Sequence, residues 1–124
     1  MSDMRPEGVK IKLGDKEYRL LFTLNAIDDI QEHFDMPISE LGKVFSDEKT
    51  QIRNLRYLLT LLINEDIDCQ NDFNGTDTPH LEERYVGRHI HDKNIHEMMT
   101  AVFNSFTGSI PEGEEDEIPN EVSE

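Results

Sequence analysis

Histidines are the residues of this chain whose type and spacing most suggest chemistry. His89 and His91 form an HxH pair, and His80 and His96 lie nearby in the sequence. A zinc site usually requires about four ligands, with cysteine or carboxylate completing a histidine set. The pair spans a predicted helix end, so its side chains need not converge, and the single cysteine lies well before it. Solvated histidines at a helix boundary are therefore the favoured interpretation, and we expect no bound metal.

The sequence gives even weaker indications of a catalytic nucleophile or of a phosphate-binding loop. Cys69 stands among acidic residues, which raise the pKa of a thiol rather than lower it. Neither Gly14 nor Gly108 belongs to a phosphate-cradling loop, and no serine occupies a recognisable strained turn. The carboxylates alternate with apolar positions, which is typical of a solvated helix face, whereas paired-carboxylate catalysis needs two acids in one cleft. We predict a protein that is not an enzyme and uses no cofactor.

Length and charge limit the function further. The chain has 124 residues, which suggests one domain, and its 27 acidic against 12 basic residues give a formal charge of -15. Such a chain repels nucleic acid phosphates and anionic membrane surfaces, so basic protein surfaces are its expected charged partners. A single cysteine excludes an internal disulfide framework and fits a reducing cytoplasm.

The N-terminal part predicts a β-hairpin. Residues 1–8 are polar and are interpreted as a flexible leader. Apolar and polar residues alternate from Val9 to Leu13 and again from Glu17 to Phe22, on either side of a turn at Gly14 and Asp15. Two strands alone are marginally stable in water, so the hairpin must pack on helices.

A first helix is predicted to follow the hairpin. Thr23 is a good N-cap, and Pro37 requires the helix to end before it. The apolar positions at helical spacing are Leu24, Ile27, Ile30 and Phe34. Ser39 is predicted to cap a short helix that reaches Phe45.

The central helix is predicted to begin at Ser46 or Asp47 and to run to about Glu65. Its predicted buried face comprises Ile52, Leu55, Leu59, Leu62 and Ile63, widened by Leu58 and Leu61. The polar run from Asp66 to Asp77 predicts a loop. Thr78 and Pro79 then predict the start of a short helix, because proline is favoured at the first helical position.

The last helix has the clearest apolar pattern. Asn94 and Glu97 have the spacing of a capping box, and Gly108 is the predicted stop. The candidate partner-binding residues are its apolar positions: Ile95, Met98, Met99, Val102, Phe103 and Phe106. Amphipathic helices usually face their own core, which is the first interpretation. The second is that part of the stripe forms a partner groove, since methionine adapts to several shapes. Both interpretations hold if one edge of the apolar stripe is buried in the core and the other edge contacts a partner.

The C-terminal segment 108–124 differs from the rest. It carries seven acidic and no basic residues, and Pro111, Gly113 and Pro119 interrupt any helix. It is predicted to be a disordered tail, either solubilising the protein or attracting a basic partner segment. The predicted fold class is therefore mainly α: one domain over residues 9–107, with an N-terminal β-hairpin followed by four to five helices.

One set of residues carries a family resemblance: Gly14, Tyr18, Phe22, Thr23, Asn25 and Ala26. This pattern resembles the start of tail assembly chaperones from phages and prophages of Gram-positive bacteria. Those proteins open with a strand, a G-x-x-Y turn, a second strand ending in F-T-x-N-A, and a helix. The segment Ile38–Leu41 is also similar, and the resemblance covers roughly residues 9–106.

The resemblance implies a chaperone that coats the tape measure protein before the tail tube polymerises. It also implies self-association, contact with the major tail tube protein, residence in the host bacterial cytoplasm and absence from the mature virion. Many relatives have a longer frameshifted form, and this chain resembles the short one. The acidic extension and the polar run from Asp66 to Asp77 depart from the family pattern.

Three alternatives stay open at this point. The first is an acidic DNA mimic, which would array carboxylates rigidly at phosphate-like spacing. The second is a small metal-dependent enzyme that uses the four histidines named above. The third is a small regulatory dimer that binds other proteins without acting as a chaperone.

Overall fold

A computed structural model describes residues 8–109. The predicted hairpin is present: β1 (Val9–Leu13) pairs antiparallel with β2 (Lys16–Leu20), and Ile11 lies opposite Tyr18. Strand β2 ends two residues before Phe22 because the N–H of Leu21 donates to the carbonyl of Leu62 instead of continuing the ladder. The inner face of the hairpin is buried against the helices.

Helix α1 (Leu24–Phe34) is capped as predicted. The Thr23 hydroxyl accepts a hydrogen bond from the N–H of Ala26, and Asp35 ends the helix in the left-handed conformation, before Pro37. Leu24, one of the four apolar positions predicted at helical spacing, does not pack in the core, because its side chain is 83% exposed. Ala26 and Ile30 define the buried face, and Leu24 lies to one side of it.

A 3₁₀ helix spans Ile38–Phe45. The predicted Ser39 cap is wrong, because Ser39 lies inside this helix. The N–H of its first residue, Ile38, is instead satisfied by the Gln31 side chain of α1, which accepts at 2.9 Å. Leu41 and Val44 are buried as expected for the apolar side of this segment. The segment therefore closes one end of the core.

The central helix, α2 (Gln51–Asn74), begins later and ends later than predicted. The helix does not start at Ser46 or Asp47, because residues 48–50 form a turn in which the carbonyl of Asp47 accepts from the N–H of Thr50, and helical geometry begins only at Gln51. Its predicted buried face is confirmed at Leu55, Leu58, Leu59, Leu62 and Ile63, all fully buried.

Two predictions about α2 were wrong. Ile52 is 55% exposed, because it lies in the first turn of the helix, where the packed core ends. The run from Asp66 to Asp77 is not a loop, since the helix continues to Asn74 and stops at Gly75, which has a φ of 67°. Ile67 extends the buried face by one more turn.

The start predicted at Thr78 and Pro79 was also wrong. Residues 76–82 have no regular secondary structure, and the short helix α3 spans Glu83–Gly87, with Val86 fully buried. The preference of proline for a helical first position is overridden here, because the peptide groups of Thr78 and Leu81 bond to side chains of α2.

Helix α4 (Ile95–Ser109) begins where predicted but without a capping box. The Asn94 side chain turns back, accepting from the N–H of His91 and donating to the carbonyl of His89, both at 2.8 Å. The helix passes through Gly108 to Ser109, so Gly108 is not its stop. The first two residues of the predicted tail are therefore helical, while its remainder, 110–124, and most of the leader lie outside the described residues.

The predicted fold class is confirmed. The described residues form a mainly helical protein with an N-terminal hairpin, and α2 lies at its centre against β2, α1, α3 and α4. Helix α4 packs under β1, so the hairpin completes the core. No helix within residues 8–109 is both long and apolar enough to cross a membrane.

Candidate protein-binding surface

The apolar residues of α4 divide into two lines along the helix. Met98 and Val102 lie on the core side with Ala101 and Ser105, and all four are buried. The remaining predicted partner-binding residues are half-buried: Ile95, Met99, Phe103 and Phe106. We call these four residues the α4 ridge. The first interpretation of the stripe is thus confirmed for Met98 and Val102, while the ridge keeps apolar surface in solvent.

Spacings of four, four and three residues place the α4 ridge on one side of the helix, next to the buried line. Its two aromatic rings are held by the core. The Phe103 ring meets Phe45 edge-on at 5.5 Å between centroids, and the Phe106 ring lies 5.3 Å from that of Phe22. The exposed side of α4 is mostly polar and includes Thr100 and Asn104. The ridge is therefore a fixed apolar strip with a polar border.

The hairpin motif residues position this surface. Gly14 has a φ of 64° in the turn, and a Cβ built there would lie 3.0 Å from the His89 ring. Burial, followed by a hydrogen bond with the Tyr85 side chain, raises the pKa of Tyr18 to about 12. Gly14 and Tyr18 thus attach the hairpin to the α3 region. Phe22 is buried and supports Phe106 of the ridge.

The remaining motif residues serve the start of α1. The Thr23 hydroxyl donates to the Glu65 carboxylate of α2 as well as accepting from the Ala26 N–H. Ala26 is fully buried in the core. Asn25 is exposed beside Leu24. Five of the six motif residues therefore have a structural explanation, and Asn25 is the exception.

The four histidines of the zinc hypothesis each contact different groups. The His80 Nε2 atom is 2.8 Å from an Asp68 carboxylate oxygen, and the His89 ring packs on Tyr85 at 4.9 Å. His91 bonds through its backbone to Asn94, and His96 is exposed on α4. Within residues 8–109, no group of three or more His, Cys, Asp or Glu side chains is placed to hold a metal ion.

One histidine has an aromatic contact that the sequence did not indicate. The His33 ring stacks on Tyr57 at 3.7 Å with planes 9° apart, and Phe34 meets both rings edge-on. Burial raises the pKa of Tyr57, and the charges of Asp29, Glu83 and Glu32 add to the rise. The cluster joins α1 to α2.

Sequence reasoning also missed how the polar end of α2 is held. Residues 76–82, which we call the strap, run back along this helix, since Thr78 contacts Asn71 and Leu81 contacts Asn64. The Asn64 side chain donates to the carbonyl of Leu81 at 3.1 Å and accepts from its N–H at 2.8 Å. Asn71 does the same for Thr78, at 3.0 and 2.9 Å. Two asparagines seven residues apart, which is two helical turns, are the signal that could have indicated this pairing.

Cys69 lies on this polar end of α2 and is exposed. Partial desolvation raises the pKa of its thiol, and the negative charges of Glu65, Asp66, Asp72 and Asp68 raise it further. A thiol kept protonated in this way is a poor nucleophile. The surrounding acids thus act on the Cys69 thiol in the direction expected from the sequence.

Comparison with known proteins adds no family to this geometry. No protein-family model matches the chain, no curated protein matches it, and no solved structure matches it. The α4 ridge and the acidic character of the chain are therefore the features on which a function has to be argued.

Proposed function

We propose that this protein is a phage tail assembly chaperone, which binds the tape measure protein and keeps it soluble until the tail tube forms. The observation that supports the proposal is the α4 ridge, an apolar strip left half open to solvent. The resemblance of residues 14–26 to such chaperones is the reason for proposing this family. The proposal includes self-association, contact with the major tail tube protein, action in the host cytoplasm and absence from the virion.

The dimensions of the α4 ridge suit a helical client. From Ile95 to Phe106 the ridge covers eleven helical steps, or about 16 Å at 1.5 Å per residue. An amphipathic client helix of about three turns could lay its own i, i+3, i+4 and i+7 residues along this length. Met99 stands in the middle of the ridge, and its unbranched thioether adapts to client side chains of different shape.

The charge of the chain fits the same role. A long, partly apolar client aggregates unless its apolar surface is covered by something soluble. A chaperone with a formal charge of -15 gives the complex a strongly negative exterior, so complexes repel one another. Release needs no nucleotide if growth of the tail tube displaces the chaperone.

Co-expression with a fragment of the tape measure protein encoded by the same phage or prophage tests this function. The chain should hold the fragment in the soluble fraction and co-elute with it. Met99→Asp, on the ridge, should abolish co-elution, because a charge there would have to be desolvated by the client. Asn104→Asp places the same charge on the exposed side of α4 and should leave co-elution unchanged.

Urea denaturation of both variants separates loss of binding from loss of folding. A fragment that stays insoluble with the unmodified chain contradicts the chaperone function. Equal effects of two folded variants contradict the assignment of the α4 ridge. Light scattering of the complex then gives its stoichiometry and tests self-association.

A further inference from the structure

The outer face of the hairpin concentrates positive charge in an acidic protein. From residue 9 to residue 20 the chain carries four basic residues and two acidic ones. The strand register sets Lys10 directly opposite Arg19, and Lys12 opposite Glu17. We call Lys10, Lys12 and Arg19 the basic hairpin face.

This arrangement carries an electrostatic cost. Like charges directly opposite each other on one face of an antiparallel pair destabilise the sheet. Asp66 offsets part of the cost, since its carboxylate lies 3.9 Å from the Arg19 side chain. Lys10 and Lys12 are exposed, and no ion pair within residues 8–109 involves either of them. Additional negative charge placed near Lys10 and Lys12 would therefore be electrostatically favourable.

The surface shape is compatible with such a ligand. Lys10 and Arg19 border a shallow open depression whose other walls are Glu17, Tyr18 and Asp66. Glu17 and Asp66 repel an anion, so an anion is expected to bind on the side of the depression where Lys10 lies.

We propose that the acidic segment 110–124 of this same chain docks on the basic hairpin face. The segment carries seven carboxylates and no cation, so its charge is complementary. Helix α4, which precedes the segment, ends close to the face. Phe106, near the end of α4, packs on Phe22 just beyond β2, at the end of the hairpin where Lys10 faces Arg19.

The length of the segment allows this contact. Fifteen residues reach at most roughly 50 Å when extended, whereas a five-residue strand is about 17 Å long. A tethered segment of this kind has a high effective concentration at a nearby site, so weak individual ion pairs suffice to hold it. The inference is independent of the proposed chaperone function.

Zero-length carbodiimide cross-linking of the full chain tests the docking, since it joins a carboxylate to a lysine that it touches. The chain has six lysines: Lys10, Lys12, Lys16, Lys43, Lys49 and Lys93. Mass spectrometry should find segment 110–124 linked mainly to Lys10 and Lys12. Links spread evenly over all six lysines, or concentrated on Lys43, Lys49 and Lys93, would overturn the proposal.

A matched pair of variants keeps every lysine in place. Arg19→Gln should lower the yield of links to Lys10 about threefold, because it removes a charge from the face. Arg53→Gln removes the same charge from an exposed site on α2 and should not change the yield. An equal response of the two variants would show only general attraction. Raising the salt to about 0.5 M should weaken the links severalfold.

The same experiment on a mixture of ¹⁴N- and ¹⁵N-labelled chains distinguishes two sources of the segment. Links within one isotope only are expected, because α4, to which the segment is attached, packs against its own hairpin. Links that mix the isotopes in proportion would mean that a second copy supplies the carboxylates, and would overturn docking within one chain.

Discussion

The two halves of α2 are held by different means. Up to Ile63, the helix presents fully buried side chains to the core, including Leu55, Leu58 and Leu59. After Ile67, each residue to Asn74 is exposed except Asn71, which is half-buried. The second half is held against the strap by the paired amide bonds of Asn64 and Asn71.

The comparison shows that one continuous helix can combine two kinds of stabilisation. Burial of apolar surface contributes to global stability, because it is lost only when the core opens. Amide pairs at the surface fix the path of the strap but exchange with water at modest net cost. The polar half of α2 should therefore open locally, well below the free energy of global unfolding.

The largest effect is expected in the apolar half. Leu59→Ala removes a fully buried side chain from the middle of the core and should lower the free energy of unfolding by about 2–5 kcal/mol. Ile52→Ala is the matched control, since Ile52 is on the same helix but 55% exposed, and should cost less than about 1 kcal/mol. Urea denaturation measures both. Equal losses would contradict the location of the core.

The next effect concerns the junction between the halves. Asn64→Ala leaves the N–H and carbonyl of Leu81 without their partner and should cost about 1–3 kcal/mol. Hydrogen exchange of the Leu81 amide should accelerate at the same time. Asn74→Ala, which removes only a surface bond to Gln70, should cost about 0.5 kcal/mol or less. Unchanged exchange at Leu81 would show that the amide pair does not hold the strap.

The elements with local signals were predictable from the sequence. Alternation gave the hairpin, Thr23 gave the start of α1, and the periodicity of α4 gave its first turn. In each case the determining residues lie within a few positions of one another. Helical periodicity identifies a face, but not how far the core extends along it, which explains the errors at Leu24 and Ile52.

The polar half of α2 was not predictable in this way. Its polar residues are typical of loops, and their helical role depends on a strap up to 17 residues further along the chain. The candidate site was predictable in part. Periodicity selected the apolar residues of α4, but the division between buried and half-buried ones depends on Phe45 and Phe22, from distant elements.

A smaller effect is expected where the polar half ends. Gly75 closes α2 with a φ of 67°, and a Cβ there would meet no other atom within 4 Å. Gly75→Ala should therefore cost about 1 kcal/mol, from backbone strain alone. Gly42→Ala has the same open space without a positive φ, so it should be neutral or slightly stabilising. Equal thermal shifts of the two variants would contradict the strained cap.

The smallest expected effect concerns the alkylation rate of Cys69 rather than the stability of the protein. Cys69 is exposed, yet desolvation and four nearby carboxylates raise the pKa of its thiol, so less thiolate is present at neutral pH than in the unfolded chain. Alkylation by iodoacetamide should be slower in the folded protein than in urea, despite the exposure. Added salt should speed up the folded reaction by screening the carboxylates. A folded rate equal to the unfolded one, insensitive to salt, would mean that this half of α2 opens so often that its charges do not act on the thiol.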